Sequence, residues 1–441
     1  MKRPPGPRSF IPGAALRAMQ RQPIDFLTSL ARDYGDVSHF SYGPQHLYFF
    51  NHPDLVRDVL VTKSASFMKG RALQRAKRLL GDGLLTSEGE FHRRQRRLAQ
   101  PAFHRDRVHQ YAAVMIERSE ATAAAWRDGE SLDVHHEMMR LTLAIVARTL
   151  FGADVEGEAE AIGAALTEAL QMFPLLINPF ASILQRLPLP RVRRLDRAIA
   201  TLDATIYRMI EARRASQDDR GDLLSMFLVA QDEEGDHAGM SNTQLRDEVM
   251  TLFLAGHETT ANALAWTWYL LSLHPDVERQ LHDEIDTVLG DRAPTPADYP
   301  RLPYTEMVVA ESMRILPPAW VIGRLAIEDV EIGGWMIPRG SLAIVSQAVM
   351  HRDARFWPDP ERFDPQRFTP AAKAARPRFS YFPFGGGPRV CIGEGFAWME
   401  GVLALASLAR KWRVRVVGDV EPLPLITLRP KGGMQAVVTR R

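Results

Sequence analysis

Hydrophobic residues recur every three to four positions along most of the chain, which is the period of an amphipathic helix. The pattern predicts helices at 23–34, 105–127, 135–152, 157–172, 190–216, 221–232, 276–289 and 304–315. Apolar and polar residues alternate only near the two ends, which predicts a hairpin at 37–50 and strands at 321–327, 330–332, 342–349, 412–417 and 425–439. This order of elements predicts a mainly α (α+β) fold, and the lack of a clear linker predicts one domain over residues 1–441.

The longest apolar run begins after Ser241 and Gln244, which form the capping-box pattern S-x-x-Q. It predicts a helix of about 30 residues that ends at Pro275. Residues 249–273 are nearly numerous enough to span a bilayer, but Glu258 lies in the middle of them. A carboxylate at that depth favours a helix buried in protein over one in a membrane.

Four residues are unusual for the middle of such a helix: Gly256, Glu258, Thr259 and Thr260. Glycine in a helix interior costs about 1 kcal/mol relative to alanine, and a buried carboxylate needs a partner. A threonine hydroxyl can bond the carbonyl of the preceding turn and bend the helix. These residues support two interpretations equally: a local opening that holds water or a small ligand, and a kink for packing with Glu258 at the surface.

A glycine-rich loop precedes the helix predicted at 394–410 and contains the only cysteine of the chain. It reads F-G-G-G-P-R-V-C-I-G from Phe384 to Gly393, and its glycines and proline force an irregular backbone. Cys391 therefore lies at a helix N-terminus near Arg389, where a thiolate is favoured. Such a thiolate serves as a nucleophile or a metal ligand. A buried structural cysteine, the common role of a free thiol, does not need so irregular a backbone.

Composition narrows the class of protein. The 441 residues include 55 basic and 53 acidic side chains, and this balance argues against a nucleic-acid binder. A single cysteine excludes intrachain disulfides, cysteine-cage zinc sites and four-cysteine iron–sulfur clusters. It fits a reducing compartment, and no apolar signal segment follows Met1. We therefore expect a cytoplasmic protein without a transmembrane anchor.

The loop pattern F-x-x-G-x-R-x-C-x-G resembles the haem-binding loop of the cytochrome P450 family. Three further segments resemble family motifs in the family's order: A-G-x-E-T at 255–259, E-x-x-R at 311–314 and P-E-R-F at 360–363. The resemblance implies the cytochrome P450 fold, with the long helix crossing over haem b. It also implies a monooxygenase that inserts one oxygen atom from dioxygen into a hydrophobic small molecule.

The resemblance assigns roles to individual residues around the cofactor. Cys391 is expected to bind the iron, Thr259 to bond bound dioxygen, and Glu258 to help deliver protons. His92 and Arg96 lie on a basic helix predicted to begin at a capping box that Ser87 opens. The residues expected to bind the cofactor are His92, Arg96, Ala255, Gly256, Thr259, Arg324, Phe384, Arg389, Cys391 and Gly393.

Two further groups follow from the resemblance. Judged by spacing alone, Glu311 and Arg314 are an ordinary surface pair. The family pattern instead implies a structural triad with Arg362, for which Arg367 is a less favoured third member. The substrate pocket is expected to be lined by apolar residues, namely Phe253, Ala255, Ala319, Trp320, Val321, Ile322 and Ile426. Such a lining indicates a fatty acid, terpenoid or steroid-like substrate.

The chain contains no reductase module, so the resemblance implies a separate ferredoxin or flavodoxin with its reductase, which passes electrons from NAD(P)H to a monomeric enzyme. Two alternatives are a haem-thiolate peroxygenase or isomerase, which needs no electron donor, and a haem sensor. Glu258 and Thr259 disfavour both, because only oxygen activation needs this acid and alcohol.

Segment 172–180, which is apolar and broken by prolines, is predicted either as a lid or as a loop packed on the core.

Overall fold

Most of the described helices form where the hydrophobic period predicts them, but residues 347–349, predicted as the end of a strand, are helical, and the strand predicted at 425–439 is two separate strands. The computed structural model describes residues 3–7, 14–42, 45–152, 159–171, 189–216, 221–229 and 239–441, so segment 172–180 lies outside the described residues. The helices of the described chain are α1 (Ala14–Arg21), α2 (Pro23–Tyr34), α3 (Pro53–Arg57), α4 (Arg71–Arg75), α5 (Lys77–Leu80), α6 (Gly89–Ala99), α7 (Arg105–Ala125), α8 (Val134–Phe151), α9 (Ala159–Gln171), α10 (Pro190–Ser216), α11 (Leu223–Val229), α12 (Asn242–Leu273), α13 (Pro275–Leu289), α14 (Pro303–Ile315), α15 (Gln347–Met350), α16 (Pro370–Ala375) and α17 (Glu394–Ala409).

The strands are short and lie mainly toward the two ends of the chain. They are β1 (Val37–Tyr42), β2 (Gln45–Phe50), β3 (Phe67–Lys69), β4 (Ser131–Asp133), β5 (Ile322–Ala326), β6 (Val330–Ile332), β7 (Trp335–Ile337), β8 (Leu342–Val345), β9 (Trp412–Val416), β10 (Pro422–Pro424), β11 (Leu428–Pro430) and β12 (Gln435–Arg440). β1 and β2 pair antiparallel, as the predicted hairpin requires, and belong to a five-stranded sheet of order β1-β2-β8-β5-β3. The predicted mainly α fold with small sheets is confirmed.

The chain groups into two compact units. Unit 1 consists of Met1–Gln74, Ala310–Cys391 and Ile426–Leu428, and it contains the five-stranded sheet and most of the cysteine loop. Unit 2 consists of Arg75–Val309, Ile392–Leu425 and Arg429–Arg441, and it contains α12 and a sheet of order β4-β12-β9. That the whole chain behaves as one domain stays a prediction.

The helix α12 begins at the predicted capping box. The backbone N–H of Gln244 donates to Ser241 Oγ (3.2 Å), and the N–H of Ser241 donates to Gln244 Oε1 (2.8 Å). The helix is 32 residues long and ends just before Pro275. Residues 245–254 are all buried, which confirms a core helix. In the part of the chain that the structure describes, no helix is both long and apolar enough to cross a membrane.

A hydrophobic core in unit 1 lies directly beneath the cysteine loop. It contains side chains of the hairpin, such as Tyr48 and Phe50, together with Leu60, Phe379 and Phe382. The last two precede the loop by a few residues, so burial of their rings fixes where the loop begins. The loop is therefore attached to a packed core and not only to its own turn.

Candidate active site

The cysteine loop is shaped by its glycines. Gly385 and Gly387 have φ values of 76° and 68°, which side chains rarely tolerate. A Cβ on Gly387 would lie 2.0 Å from the carbonyl oxygen of Leu60, so no larger residue fits without moving backbone. The N–H of Cys391 donates to the carbonyl of Phe384 (3.0 Å) and closes the loop. The thiol of Cys391 is exposed, two residues before the N-cap position of α17. A backbone bent in this way presents a sulfur atom and does not bury it.

The scaffold of Glu311 and Arg314 lies in unit 1 and is fully buried, so the surface-pair interpretation is wrong. Arg314 Nε and Nη2 donate to the two carboxylate oxygens of Glu311 at 2.6 and 2.8 Å. Its Nη1 donates to the carbonyls of His351 (2.9 Å) and Pro360 (2.7 Å). The pair therefore fixes an irregular segment that leads to the cysteine loop.

The predicted third member of this triad is wrong. Arg362 is exposed and contributes only its carbonyl, which accepts from Arg314 Nη2 (3.1 Å). The side chain that approaches Glu311 is that of Arg367, with Nε 3.5 Å from Oε1. The reason is the N–H of Asp364, which donates to the same carboxylate (2.9 Å) and turns the following 3₁₀ turn toward it.

A second buried contact supports the segment before the loop. His351 is fully buried in unit 1, and its Nε2 accepts the N–H of Phe382 (3.0 Å). Burial, with Arg314 nearby, lowers the pKa of His351 to about 3. The ring is therefore neutral at pH 7, as an acceptor of a backbone N–H must be. No sequence pattern predicts this role for His351, because a lone histidine after an apolar strand usually has no special function.

In unit 2, α12 carries one narrow opening. From residue 245 to residue 268 every position is buried except Ala255, Gly256 and Thr259. These residues lie at i, i+1 and i+4 and share one face of the helix. Thr259 Oγ1 donates to the carbonyl of Ala255 (2.8 Å), as expected for a threonine that bonds the preceding turn. The interpretation as a local opening is therefore better supported than a kink made only for packing.

The Glu258 carboxylate does not reach the surface. Its side chain is 2% exposed, and Oε1 lies 3.1 Å from Nε of Arg429, which is 8% exposed. On the same stretch of helix, Asn262 Oδ1 is hydrogen-bonded to Nε2 of His135 (2.9 Å). Burial, followed by the charge of Arg429, lowers the pKa of His135 to about 4. Sequence reasoning missed Arg429 and His135; an arginine between the apolar residues of β11 was the only signal.

The expected cofactor cations lie in both units. In unit 2, His92 is buried and Arg96 half-buried on α6. That helix begins at Gly89 after Glu88, without a side-chain cap bond, so the capping box predicted at Ser87 is wrong; Gly89 has a φ of 59°. In unit 1, Arg324 is buried on β5 opposite Lys69 of β3, and Arg389 is half-buried in the cysteine loop.

Comparison with known proteins decides the family. The sequence model of the cytochrome P450 family matches residues 4–436. The chain belongs to the cytochrome P450 family. This P450 is 44% identical over 425 residues to cyclooctatin synthase of Streptomyces melanosporofaciens, covering 94% of this chain and 89% of that protein. It is 38% identical to cyclooctat-9-en-7-ol 5-monooxygenase of the same organism, covering 91% and 87%. It is also 38% identical to pentalenene oxygenase of Streptomyces avermitilis, covering 93% and 91%.

A solved structure agrees with this assignment. The crystal structure of the cytochrome P450DA heme domain matches this P450 with a TM-score of 0.90 at 28% sequence identity, covering 99% of this chain and 97% of that chain. The predicted fold and family are therefore confirmed, and the enzyme is a cytochrome P450 monooxygenase that uses haem.

The residues present fit a haem. A thiolate ligand needs an exposed sulfur on a rigid loop, and Cys391 meets this requirement in unit 1. A group bound beside α12 needs a gap in its side chains, and Ala255, Gly256 and Thr259 leave one in unit 2. A Cβ on Gly256 would lie 3.0 Å from Cγ2 of Val146, so this glycine also permits close packing against α8.

The expected pocket residues divide between the units. In unit 1, Ala319, Val321, Ile322 and Ile426 are half-buried. Their two segments are joined by the N–H of Leu428, which donates to the carbonyl of Pro318 (2.9 Å). Trp320 is buried, and its carbonyl accepts from Ser346 Oγ (2.7 Å). In unit 2, Phe253 is 4% exposed and stacks on Phe151, with ring centroids 4.5 Å apart. Its ring is thus part of the packing between α8 and α12, and its contact with substrate stays a prediction.

Proposed function

We propose that this P450 oxidises a polycyclic terpenoid at a haem b bound through Cys391. The observation that supports this most is the opening on α12, where a helix otherwise buried from residue 245 to 268 exposes only Ala255, Gly256 and Thr259. Two of these residues are apolar and small, and the half-buried residues expected to line the pocket in unit 1 are apolar. Three relatives that share 38–44% of their residues with this chain bear names of enzymes that act on terpenoids.

The residues have separate roles in this reaction. A haem with a thiolate ligand activates dioxygen when it receives electrons. Cys391 supplies the thiolate. The Thr259 hydroxyl donates a hydrogen bond to the carbonyl of Ala255, so its oxygen is left to accept a hydrogen bond from a molecule in the opening. Glu258 is held as a carboxylate by Arg429, so it relays protons by first accepting one from solvent and then passing it to that threonine.

Four side chains bind the two propionate carboxylates of the haem. His92, Arg96, Arg324 and Arg389 are the residues that neutralise the propionates, because a buried carboxylate needs a cationic or hydrogen-bonding partner. Phe384 and Gly393 bracket the iron ligand and keep the loop at its required length. A separate ferredoxin or flavodoxin, with its reductase, supplies the electrons to a monomeric enzyme in the cytoplasm, where the single cysteine stays reduced.

Titration with candidate substrates tests the proposal. Cyclic diterpene and sesquiterpene hydrocarbons and alcohols, a fatty acid and a steroid are each added to the purified haem enzyme. We expect the terpenoids to shift the haem spectrum from low to high spin at the lowest concentrations, and to yield hydroxylated product with a ferredoxin, its reductase and NAD(P)H. A spin shift with the fatty acid or steroid and none with any terpenoid would overturn the substrate class.

A further inference from the structure

A loop of unit 2 is fastened to the beginning of α12 by two acidic side chains. The N–H of Asp82 donates to Asp247 Oδ2 (2.8 Å), and the N–H of Leu84 donates to Glu248 Oε2 (3.0 Å). Glu248 is 1% exposed and its bond to the Leu84 N–H is buried, whereas the bond from Asp82 to Asp247, which is 8% exposed, is partly buried. Two neighbouring residues of the helix thus accept two alternate N–H groups of residues 81–84.

The loop approaches the helix as closely as its glycines allow. A Cβ on Gly81 would lie 2.0 Å from the carboxyl carbon of Asp247, and one on Gly83 would lie 2.2 Å from Oγ1 of Thr251. Gly81 also has a φ of 58°. The hydroxyl of Thr86 donates to the carbonyl of Gly81 (2.6 Å) and closes the loop on itself. Only glycine at these two positions permits the observed contact.

This contact lies at one end of the open face of α12. Thr251, Ala255 and Thr259 follow one another at four-residue intervals and therefore share a face of the helix. A rise of 1.5 Å per residue places Thr251 about 6 Å before Ala255 along the helix axis. The loop at Gly83 thus covers the turn immediately before the opening.

The two acids have different surroundings. Arg246 donates from Nη1 to Asp247 Oδ1 (3.0 Å) and from Nε to Asp203 of α10 (2.7 Å). Burial, opposed by the Leu84 N–H, raises the pKa of Glu248 to about 8. A leucine in place of Glu248 would also suit a buried position, but it would leave the Leu84 N–H without its hydrogen-bond acceptor.

We propose that Asp247 and Glu248 are positioning residues that hold residues 81–84 as a fixed wall of the substrate pocket, and so set how tightly the apolar substrate is bound. The inference rests on the proposed function, because the open face of α12 is taken as the side of the helix that meets substrate. Neither acid touches the reacting atoms.

Two measurements on the same variants test this role. Glu248→Ala removes the acceptor of the Leu84 N–H, whereas Glu248→Gln keeps an acceptor of the same size. Glu211→Gln, at an exposed carboxylate of α10, is the surface control. Amide hydrogen exchange of a peptide covering residues 81–86 reports whether the loop is fastened. The dissociation constant from the terpenoid-induced spin shift reports whether the loop confines substrate.

We expect Glu248→Ala to raise the exchange rate of the loop about tenfold, the value for one lost buried hydrogen bond. Its substrate dissociation constant should rise several-fold, while Glu248→Gln and Glu211→Gln stay close to wild type. If Glu248→Ala does not fold, Gly81→Ala serves instead, because it forces the loop off Asp247 and alters neither acid.

Two outcomes overturn the proposal. An unchanged exchange rate means that the acids do not fasten the loop, and faster exchange with an unchanged dissociation constant means that the loop is not a wall. Failure of the proposed function is distinct, because wild-type enzyme then gives no spin shift with any terpenoid. In that case the ratio of dissociation constants between Glu248→Ala and wild type is measured with the fatty acid or steroid that does shift the spectrum.

Discussion

The cysteine loop of unit 1 and the polar stretch of α12 in unit 2 are held in place by different means. The loop depends on its own backbone: positive φ at Gly385 and Gly387, and a hydrogen bond from Cys391 to Phe384. The polar stretch depends on side chains distant in sequence, such as Arg429, which lies 3.1 Å from Glu258. The first can be recognised from ten consecutive residues, and the second only from the folded chain. Substitutions in the loop should therefore affect haem binding, whereas substitutions in the polar stretch should affect stability and proton supply.

Cys391→Ser is the largest change expected in the loop. Serine keeps the size and the backbone but does not supply a thiolate, so the thiolate-type spectrum of the ferrous–CO complex should disappear, with all monooxygenase activity. Circular dichroism should show an unchanged helix content, because the N–H of Cys391 still closes the loop. A ferrous–CO spectrum like that of wild type would mean that another residue binds the iron.

Gly387→Ala tests whether the loop fails through its backbone. Alanine adds a Cβ 2.0 Å from the Leu60 carbonyl at a φ of 68°, so the loop must shift, at a cost of at least about 3 kcal/mol. We expect most of the protein to be purified without haem, as measured by the ratio of haem to protein absorbance. Gly395→Ala is the matched control, because nothing lies within 4 Å of its Cβ and its helix should gain stability. Equal haem content in both variants would contradict this account.

Arg429→Met tests the long-range support of α12. It leaves the Glu258 carboxylate buried without its cation, and loss of one partner of a buried pair costs about 3–5 kcal/mol of unfolding free energy. The double variant Glu258→Gln/Arg429→Met should recover most of that loss, since no charge is then buried. Lys431→Met breaks an exposed pair with Glu421 and should cost less than about 1 kcal/mol. Urea unfolding of wild type and the three variants measures these differences in unfolding free energy. If Arg429→Met loses no more stability than Lys431→Met, the pair of Arg429 and Glu258 does not stabilise the fold.

Thr259→Ala should separate chemistry from stability on the same helix. We expect the amount of product formed per NAD(P)H consumed to fall several-fold, because the hydroxyl that relays protons in the opening is lost. Thr267→Ala removes the same kind of bond, from Oγ1 to the carbonyl of Ala263 (2.7 Å), at a buried position away from the opening. Its coupling should equal that of wild type. Similar uncoupling in both variants would point to helix distortion and not to proton supply.

Local signals account for what could be predicted from the sequence. The capping box at Ser241, the end of α12 before Pro275 and the irregular backbone of the cysteine loop each depend on residues within a few positions of one another, and each formed as predicted. The box at Ser87 failed for an equally local reason, because Gly89 starts the helix at a φ of 59°. These features need no knowledge of the rest of the fold.

Residues whose role depends on tertiary register could not be predicted. The motifs at 360–363 and 365–368 both read P-x-R-F, and nothing in either says which arginine meets Glu311. The choice of Arg367 follows from the Asp364 N–H on that carboxylate. Arg429 likewise lies 171 positions after Glu258, and no spacing rule connects residues so far apart.

The smallest expected effect is a pH dependence in the segment before the cysteine loop. In the folded enzyme, burial and the charges of Arg314, Arg376 and Arg352 lower the pKa of His351 from its ordinary value of 6.5 to about 3. Between these values the unfolded chain binds a proton that the folded chain does not, so stability is lost as pH falls from 6.5 toward 3. This residue contributes at most about 1.4 kcal/mol per pH unit. In His351→Gln that contribution is absent, so unfolding free energies measured from pH 7.5 to 5 should fall less steeply than in wild type, while the other histidines titrate equally in both proteins. Identical slopes would mean that the neutral His351 ring does not stabilise the segment before the loop through its bond to Phe382, and the buried Glu311–Arg314 pair would then be the polar support that remains there.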